Sequence, residues 1–423
     1  MLACELKVSE PKGRLFVVIV LALLTRTAIA EKRLTVAQLE QALTADIAAH
    51  KSDADIVRQL AATDLTERFT ETTLNRIGAH FIGTPVAPAL QLLADRSAFL
   101  DPPPSELPSR PAPDNTTQQH ILSSAHQYVV ETLPRLPDFL ATRSTLHYDD
   151  GPYVATEGQW PSRAGLHLVD RTSQEISIRD ERESRLPGQH SAVWHQQGGL
   201  ISGGEFGATL GMILTDTAQG KISWSHWEQT PDGEAAVFQY SVPRSASHFE
   251  VISSLEHQRA AETYDAPNGG GRGISSIGTR PSGGSNVTFL RTASQYHGSL
   301  WIDPATGTIL RITIQADLKS ESLNRAAILV QYGPVRIGDG TFICPTHSVA
   351  WSSAAANAQT IADDAPTEWL NDTVFTHYHR FASTVRILPG VGGSGQNPVA
   401  PDGPSPDASS PAPHPDQAPS LPQ

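Results

Sequence analysis

The sequence predicts an α+β protein with short N-terminal helices followed by a large antiparallel sheet with packed helices. Residues 35 to about 100 carry apolar side chains at helical spacing, whereas the region from Leu136 to Leu388 repeatedly alternates apolar and polar side chains, which is the period of a strand. The proline-rich stretch from Asp101 to Asp114 separates the two regions and is expected to be an extended linker.

Residues 1–30 have the order of charge and hydrophobicity that is typical of a secretory signal. A basic stretch that ends at Arg14 precedes an apolar run from Leu15 to Leu24, and Ala28-Ile29-Ala30 forms a small-residue cleavage site. Since the apolar run is short for a membrane span, we expect cleavage and a periplasmic or secreted bacterial protein without an integral membrane span. Arg26 is unusual so near a cleavage site, and an uncleaved N-terminal anchor is therefore the alternative.

The composition limits the kinds of molecule that the chain is expected to bind. The chain has 423 residues, of which 39% are hydrophobic, and this is enough apolar material for a sizeable core. Its net charge of -13 argues against a general nucleic-acid binder, which needs a basic face to neutralise phosphates. Cys4 lies in the predicted signal, so Cys344 has no partner for a disulfide in the mature chain.

Four short helices are predicted ahead of the proline-rich stretch. Thr35 and Gln38 have the spacing of a capping box at the start of the first helix, and Ser52 is placed to cap the second. A third helix includes Ile77, and the fourth runs from Ala87 to Leu100. Helices of this length are marginal alone, so we expect them to pack on each other or on the sheet.

The clearest strand pattern lies between Tyr296 and Leu318. Two strands are joined there by a turn in which Pro304 presets φ and Gly307 takes the left-handed conformation. A second hairpin is predicted around Pro231-Asp232-Gly233. In the first hairpin the alternation assigns Leu310, Ile312 and Ile314 to a buried face, and Arg311, Thr313 and Gln315 to a wet face.

These patterns divide the chain into five segments. A helix from about Thr116 to Thr132 opens the sheet domain, and the chain after Leu388 is rich in Pro, Gly and Ser and lacks aromatic residues, which predicts disorder. The predicted segments are a signal peptide at 1–30, a helical segment at 31–100, a proline-rich linker at 101–114, a mainly antiparallel β domain at 115–388 and a disordered tail at 389–423.

Two resemblances extend this prediction. The pattern G-x-L-W-I-D-P-x-T-G, which begins at Gly298 and is followed by Arg311, resembles part of the sheet of LolA/RseB-type periplasmic lipoprotein carriers and sigma-factor regulators. This LolA-like resemblance implies a curved, unclosed sheet, an open half-barrel, that wraps helices and encloses an apolar cavity for acyl chains or lipopeptides. The stretches LADRSAFLDPP, SGGEFGATL and FQYSVP resemble an uncharacterised family of secreted bacterial proteins, which implies no activity.

One set of residues has the chemistry of a metal site. Cys344 and His347 lie on one predicted strand and His377 and His379 on another, and such a set can bind zinc tetrahedrally. Side chains three apart on a regular strand point to opposite faces, however, which argues against this site. The chain has no G-x-S-x-G motif, and its glycine run from Asn268 to Gly278 lacks the Gly-Lys-Ser/Thr of a phosphate loop. We therefore predict no metal, no cofactor and no catalytic residue.

Aromatic residues on the predicted strands are the candidate ligand-binding residues, because aromatic side chains bury large areas and can line a cavity. They are Trp224, Trp227, Phe238, Tyr240 and Trp301. The sequence thus predicts a non-catalytic periplasmic or cell-surface carrier or binding protein for an apolar ligand, with a lipid, an acyl chain or a lipoprotein as partner. The alternative is a secreted hydrolase whose site the motifs do not reveal.

Overall fold

The structure is a computed structural model, and it describes residues 32–153, 162–163, 165–179, 182–185, 200, 204–256, 276–277, 287–318, 323–354 and 368–380. The predicted signal peptide and the predicted C-terminal tail lie outside the described residues, as does most of the glycine run from Asn268 to Gly278.

Six α-helices lie in the described residues, and four of them belong to the N-terminal segment. Helices α1 to α4 span Val36–Ala48, Asp53–Ala61, Glu71–Gly78 and Val86–Ser97, and α5 and α6 span Asn115–Thr132 and Ala208–Thr217. Three 3₁₀ turns cover Ala79–Phe81, Pro104–Glu106 and Leu133–Arg135. The sequence analysis did not predict α6, whose apolar run directly follows glycines. None of the described helices has both the length and the apolar character needed to cross a membrane.

The predicted caps of the first two helices are confirmed. The Thr35 hydroxyl accepts a hydrogen bond from the Gln38 N–H, and the Gln38 side chain accepts one from the Thr35 N–H, which completes the capping box. The Ser52 hydroxyl accepts from the Asp55 N–H at the start of α2. The apolar sides of the four helices share a core that contains Leu39, Leu43, Ile56, Leu60, Phe69, Ile77, Leu90 and Leu93.

The described strands form one large sheet and three small ones. In chain order they are β1 Lys32–Leu34, β2 Thr63–Leu65, β3 Phe139–Asp149, β4 Pro152–Tyr153, β5 Ser162–Arg163, β6 His167–Arg179, β7 Arg182–Arg185, β8 Lys221–Thr230, β9 Gly233–Val242, β10 Glu250–Glu256, β11 Ser276–Ile277, β12 Val287–Ala293, β13 Tyr296–Ile302, β14 Ile309–Ala316, β15 Leu323–Ile337, β16 Gly340–Ala354 and β17 Glu368–Arg380.

The large sheet is antiparallel and is not closed into a barrel. Its ten strands follow the order β7-β6-β3-β17-β16-β15-β14-β13-β9-β8, so β7 and β8 are its two edges. Strands β1 and β2 pair in parallel within the N-terminal segment, β4 pairs with β5, and β10 pairs with β11 and β12. The predicted α+β class with one large antiparallel sheet is confirmed.

One face of the large sheet is a hydrophobic core. Leu300, Ile312 and Val330 are cross-strand neighbours on this face, which we call the apolar face. Helices α5 and α6 cover it, and the residues that they contribute to its core are Ile121, Ala125, Val129, Leu210, Met212 and Ile213. Apolar burial of this kind is the main favourable term in the free energy of folding, and it does not depend on the relative orientation of the contacting groups.

The opposite face carries polar and aromatic side chains. Trp301, Arg311, Gln331 and His347 form a row across four neighbouring strands of this face, which we call the polar face. The N-terminal helical segment and the residues after it lie against the polar face. The apolar contacts of this layer join Leu92, Ala98 and Phe99 to Leu329, Val349 and Leu370.

The prediction that Arg311, Thr313 and Gln315 of β14 are exposed to solvent is wrong in part. Ile312 and Ile314 are fully buried, as predicted, but Thr313 is buried too, with only 4% of its surface exposed. Arg311 is also covered, because its Nη2 donates a hydrogen bond to the Ala98 carbonyl of the helical layer at 2.9 Å. The alternation shows which residues share a face, but it does not show that helices cover each of the two faces.

Leu310 lies on the other face from the one predicted. A β-bulge between Trp301 and Ile302 shifts the register of β13 and β14. Leu310 consequently packs with Ala235, Val237 and Trp301 on the polar face.

Two glycines in this region are required by geometry. Gly307 adopts a φ of 74°, as predicted for the turn, and a Cβ at this position would lie 2.5 Å from the Ser124 backbone in α5. A Cβ on Gly298 would lie 1.8 Å from the Thr313 carbonyl oxygen. The Tyr240 hydroxyl donates to that same oxygen at 2.7 Å, so its side chain passes over Gly298.

The proline-rich stretch contacts both the helical segment and the sheet. The Glu106 carboxylate accepts hydrogen bonds from the hydroxyls of Thr70 and Thr73 at α3. The Pro111 carbonyl accepts from Trp227 Nε1 at 3.0 Å. These contacts give the stretch a defined position between α3 and β8, although the predicted domain boundaries themselves remain predictions.

Candidate functional site

The polar face and the helical segment bring together eight side chains, six of them ionisable, that are far apart in the sequence. Strands β8, β13, β14, β15, β16 and β17 provide six of them, and the helical segment provides the other two. We call this set the interlayer network. It contains Arg68, Asp95, Glu228, Trp301, Arg311, Gln331, His347 and Asp372.

At one end of the network Glu228 holds three neighbours. Its Oε2 accepts a hydrogen bond from Trp301 Nε1 at 2.9 Å, lies 3.1 Å from His226 Nε2, and forms an ion pair with Arg68. Burial alone would raise the pKa of Glu228, but the hydrogen bond from His226 and the charge of Arg68 outweigh it and lower the pKa to about 2. Because Arg68 is only 2% exposed, this is a buried ion pair.

Arg311 lies in the middle of the network. Its guanidinium carbon is 4.7 Å from the centre of the Trp301 ring, which is a cation–π distance. Burial and the nearby charge of Arg68 lower the pKa of Arg311 to about 9. Its Nε is buried and has no hydrogen-bond partner among the described residues.

At the other end of the network His347 lies between two carboxylates. Its Nε2 is 2.8 Å from Asp372 Oδ1 and 3.8 Å from Asp95 Oδ1, and its Nδ1 is 2.9 Å from Gln331 Oε1. Burial opposes protonation of His347, but the hydrogen bond to Asp372 and the charge of Asp95 outweigh it and raise its pKa to about 9. Burial and the charge of Asp372 raise the pKa of Asp95 to about 8.

Asp95 is the least satisfied member of this group. Its side chain is 2% exposed, and its Oδ1 accepts a hydrogen bond from Gln91 Nε2 at 2.9 Å. Its Oδ2 is buried and has no hydrogen-bond partner within the described part of the chain. A buried carboxylate oxygen without a partner is costly, so it indicates either a proton or a missing ligand.

Three cavities border the network. The largest has a volume of about 430 Å³ and is lined by Phe99, Lys221, His226, His297 and Trp301, among others. A second, of about 320 Å³, is lined by Asp95, His347 and Asp372. A third, of about 220 Å³, lies beside Glu228 and Arg311. The first two volumes fall in the range of small-molecule sites.

The five aromatic residues predicted to bind a ligand lie on both faces of the sheet. Trp224, Trp227 and Phe238 pack edge to face on the apolar face, with ring centres 4.8 Å and 5.4 Å apart. Trp301 lies on the polar face, and both it and Tyr240 line the 430 Å³ cavity. Ligand binding by these five residues remains a prediction.

The Cys–His set considered for zinc is not assembled. Cys344 is buried in a core beside Phe139 and Phe375, and burial raises the pKa of its thiol to about 12. His377 and His379 are exposed on β17. Within the described residues, the His, Cys, Asp and Glu side chains close enough to share a metal ion are Asp95, His347 and Asp372.

The sequence analysis did not single out Asp95 or Asp372, and it considered His347 only in the Cys–His set that it argued against. The strand register pairs Asp372 with Val349, two residues from His347, so the two side chains are diagonal neighbours on one face. Asp95 reaches them from α4. The sequence signal was a charged or titratable residue within each element, and such a residue can be assigned a partner only once the strand register and the docking of α4 are known.

Comparisons of the chain with protein-family models, with curated proteins and with solved structures find no match. The resemblance to LolA/RseB-type carriers therefore remains a prediction, and the function has to be argued from the site itself.

Proposed function

We propose that the chain is a non-catalytic, periplasmic or secreted carrier that binds an amphipathic ligand with an anionic end, such as a fatty acid or another acyl-chain lipid. The observation that supports this proposal is the 430 Å³ cavity beside Trp301. Its lining combines aromatic side chains with charged ones, and the charged side chains are mostly basic. A purely apolar ligand would leave Lys221 without a partner, because no carboxylate pairs with it among the described residues.

The charges of the cavity wall favour an anionic ligand. Four basic side chains line it, Arg68, Lys221, His226 and His297, against one carboxylate, Asp101. Arg68 and His226 are already held by Glu228, and His297 Nδ1 lies 3.1 Å from Asp317. Exposed Lys221 is therefore the group that we assign to the anionic end of the ligand.

The distribution of the lining fits an amphipathic molecule. Lys221 and His297 are exposed and lie where the cavity meets solvent, whereas Trp301 is 4% exposed and lies deeper. The acyl chain would then pack on Trp301 and Phe99, and the charged end would stay in water. In the proposed carrier the sheet curves around its ligand as an open half-barrel, with the helical segment as the covering layer, which is the LolA-like arrangement.

Native mass spectrometry of the full chain purified from a bacterial periplasm tests the proposal, followed by titration of the delipidated protein with decanoate and with 1-decanol. We expect co-purified acyl lipid, and decanoate binding at least about tenfold more tightly than the alcohol, because one charge-assisted hydrogen bond is worth roughly 1.5–3 kcal/mol. Absence of lipid together with absence of decanoate binding would overturn it.

Two variants locate the site. Lys221→Glu should weaken decanoate binding by about tenfold or more, and Ser223→Trp should abolish it by filling the cavity, which Ser223 also lines. The matched control is Arg58→Glu, since Arg58 is 76% exposed and its partner in the helical segment, Asp55, is 49% exposed. Equal affinities for the Lys221→Glu and Arg58→Glu variants would place any ligand elsewhere.

A secreted hydrolase is the second candidate, and one observation favours it. Asp95, His347 and Asp372 provide possible metal ligands next to a cavity of about 320 Å³, where a metal-bound water could act on a substrate. Turnover of p-nitrophenyl acetate or bis(p-nitrophenyl) phosphate by the zinc-loaded protein, lost in Asp95→Asn, would support this candidate. An inert metal-loaded protein would exclude it for these ester classes.

A further inference from the structure

We propose that Asp95, His347 and Asp372 bind one divalent first-row transition-metal ion of the Zn²⁺ class at the junction of α4 with β16 and β17. One ligand atom from each of the three side chains lies within 4.8 Å of the others. This site is distinct from the lipid cavity of the proposed function and does not depend on it.

The first argument is the unpartnered oxygen. Asp95 is 2% exposed and its Oδ2 has no hydrogen-bond partner in the described structure. An imidazolium on His347 can satisfy Asp372, at 2.8 Å, but it lies 3.8 Å from Asp95 Oδ1, which is beyond hydrogen-bond distance. A bound cation would satisfy both carboxylates at once.

The second argument is the geometry of the donor atoms. A tetrahedral ion with bonds of about 2.0–2.1 Å holds its ligand atoms about 3.3 Å apart. The two distances from His347 Nε2, 2.8 Å and 3.8 Å, lie on either side of that value. Shifts of about half an ångström, within the reach of side-chain rotations, would therefore form the site.

The third argument is the orientation of His347. The Gln331 amide donates from Nε2 to Glu71 Oε2 at 3.3 Å, which turns its Oε1 toward His347 Nδ1 at 2.9 Å. The Nδ1 of neutral His347 then carries the proton, and the lone pair of Nε2 points at the two carboxylates. Metal-binding histidines are commonly held in this way through their second nitrogen.

The donor set selects the class of ion. One imidazole nitrogen and two carboxylate oxygens suit Zn²⁺ and neighbouring transition metals better than Ca²⁺, which prefers six to eight oxygens. Two carboxylates also balance the charge of a dication. With three protein ligands the site is open, and the remaining position faces the 320 Å³ cavity, where water or another small ligand can complete the coordination.

Isothermal titration of the full, EDTA-treated chain with ZnCl₂ and with CaCl₂ tests the site, and Co²⁺ absorption reports the coordination. We expect one equivalent of Zn²⁺ with an affinity at least about 100-fold above that for Ca²⁺. Asp95→Asn should weaken Zn²⁺ binding by more than about tenfold and remove the zinc-induced rise in Tm.

The matched control is Asp46→Asn, because Asp46 is another buried aspartate with an unpartnered Oδ2 but lies in α1, where Lys51 pairs with it. This control should bind Zn²⁺ like the parent chain. Asp95→Asn keeps the volume of the side chain and an oxygen that can accept from Gln91 Nε2, so the metal-free variant should remain folded, which circular dichroism checks. No uptake by the parent, or uptake unaffected by Asp95→Asn, would overturn the proposal.

Discussion

The two faces of the large sheet are covered by helices in different ways. On the apolar face α5 and α6 pack against side chains such as Ile312 and Val330, and the contact is a continuous hydrophobic core. On the polar face the N-terminal segment meets the interlayer network, where ion pairs and hydrogen bonds alternate with cavities. The same strands supply both faces, because successive side chains of a strand point in opposite directions.

This difference determines what each face can do. Apolar contacts tolerate small rearrangements, so the part of the apolar face around Ile312 and Val330 contributes mainly stability. Each polar group on the other face needs a partner in a fixed direction, and three atoms there lack one within the described residues, namely Arg68 Nε, Arg311 Nε and Asp95 Oδ2. A ligand gains the most binding free energy where it satisfies such groups beside a cavity. The proposed lipid cavity and the proposed metal site both lie on the polar face for this reason.

The largest effect should come from breaking the buried ion pair of the polar face. Glu228→Ala leaves Arg68 and Trp301 Nε1 without their acceptor, and we expect a loss of about 3–5 kcal/mol in the free energy of unfolding. Glu234→Ala on the same hairpin is the control, because its pair with Arg110 has side chains 29% and 54% exposed. It should lose less than about 1 kcal/mol.

Urea unfolding followed by tryptophan fluorescence at neutral pH measures both losses. Similar small losses for the two variants would mean that the polar face is hydrated, and that it does not hold a buried ion pair between Arg68 and Glu228.

The apolar face should respond to a loss of volume instead. Ile312→Ala should cost about 2–4 kcal/mol, since it opens a cavity in a fully buried part of the core. Leu310→Ala, on the polar face of the same strand and only partly buried, should cost less. The same urea experiment compares them, and a larger loss for Leu310→Ala would show that Leu310, and not Ile312, packs in the core of the apolar face.

The smallest expected effect is a dependence of the unfolding free energy on pH. The pKa of Glu228 is lowered from 4.5 to about 2 in the folded protein, so its contribution is complete above the unfolded-state pKa and is lost as the pH falls toward 2. The difference in unfolding free energy between the parent chain and Glu228→Ala should be constant above about pH 5.5 and should shrink by about 1 kcal/mol between pH 4.5 and about pH 3.5. A difference that stays constant over this range would show that Glu228 has an ordinary pKa.

The local features of the fold could be predicted from the sequence. The capping box at Thr35, the cap at Ser52 and the turn at Gly307 follow from interactions among residues close together in the chain. The assignment of Ile312 to a buried face follows from the alternation along its strand. The class of the fold follows as well, because helical and strand periodicities occupy separate regions.

The position of the candidate site, in contrast, depends on how the helical layer and the strands pack. Periodicity identifies a polar side of β14 but not whether water or another layer covers it, and for Arg311 that difference changes an exposed side chain into a covered one. The partnership of His347 with Asp372 depends on strand register, and that with Asp95 on the docking of α4. Contacts between residues hundreds of positions apart come from packing and not from local preference. The residues of the proposed lipid cavity and of the proposed metal site therefore could not be predicted to lie together from the sequence.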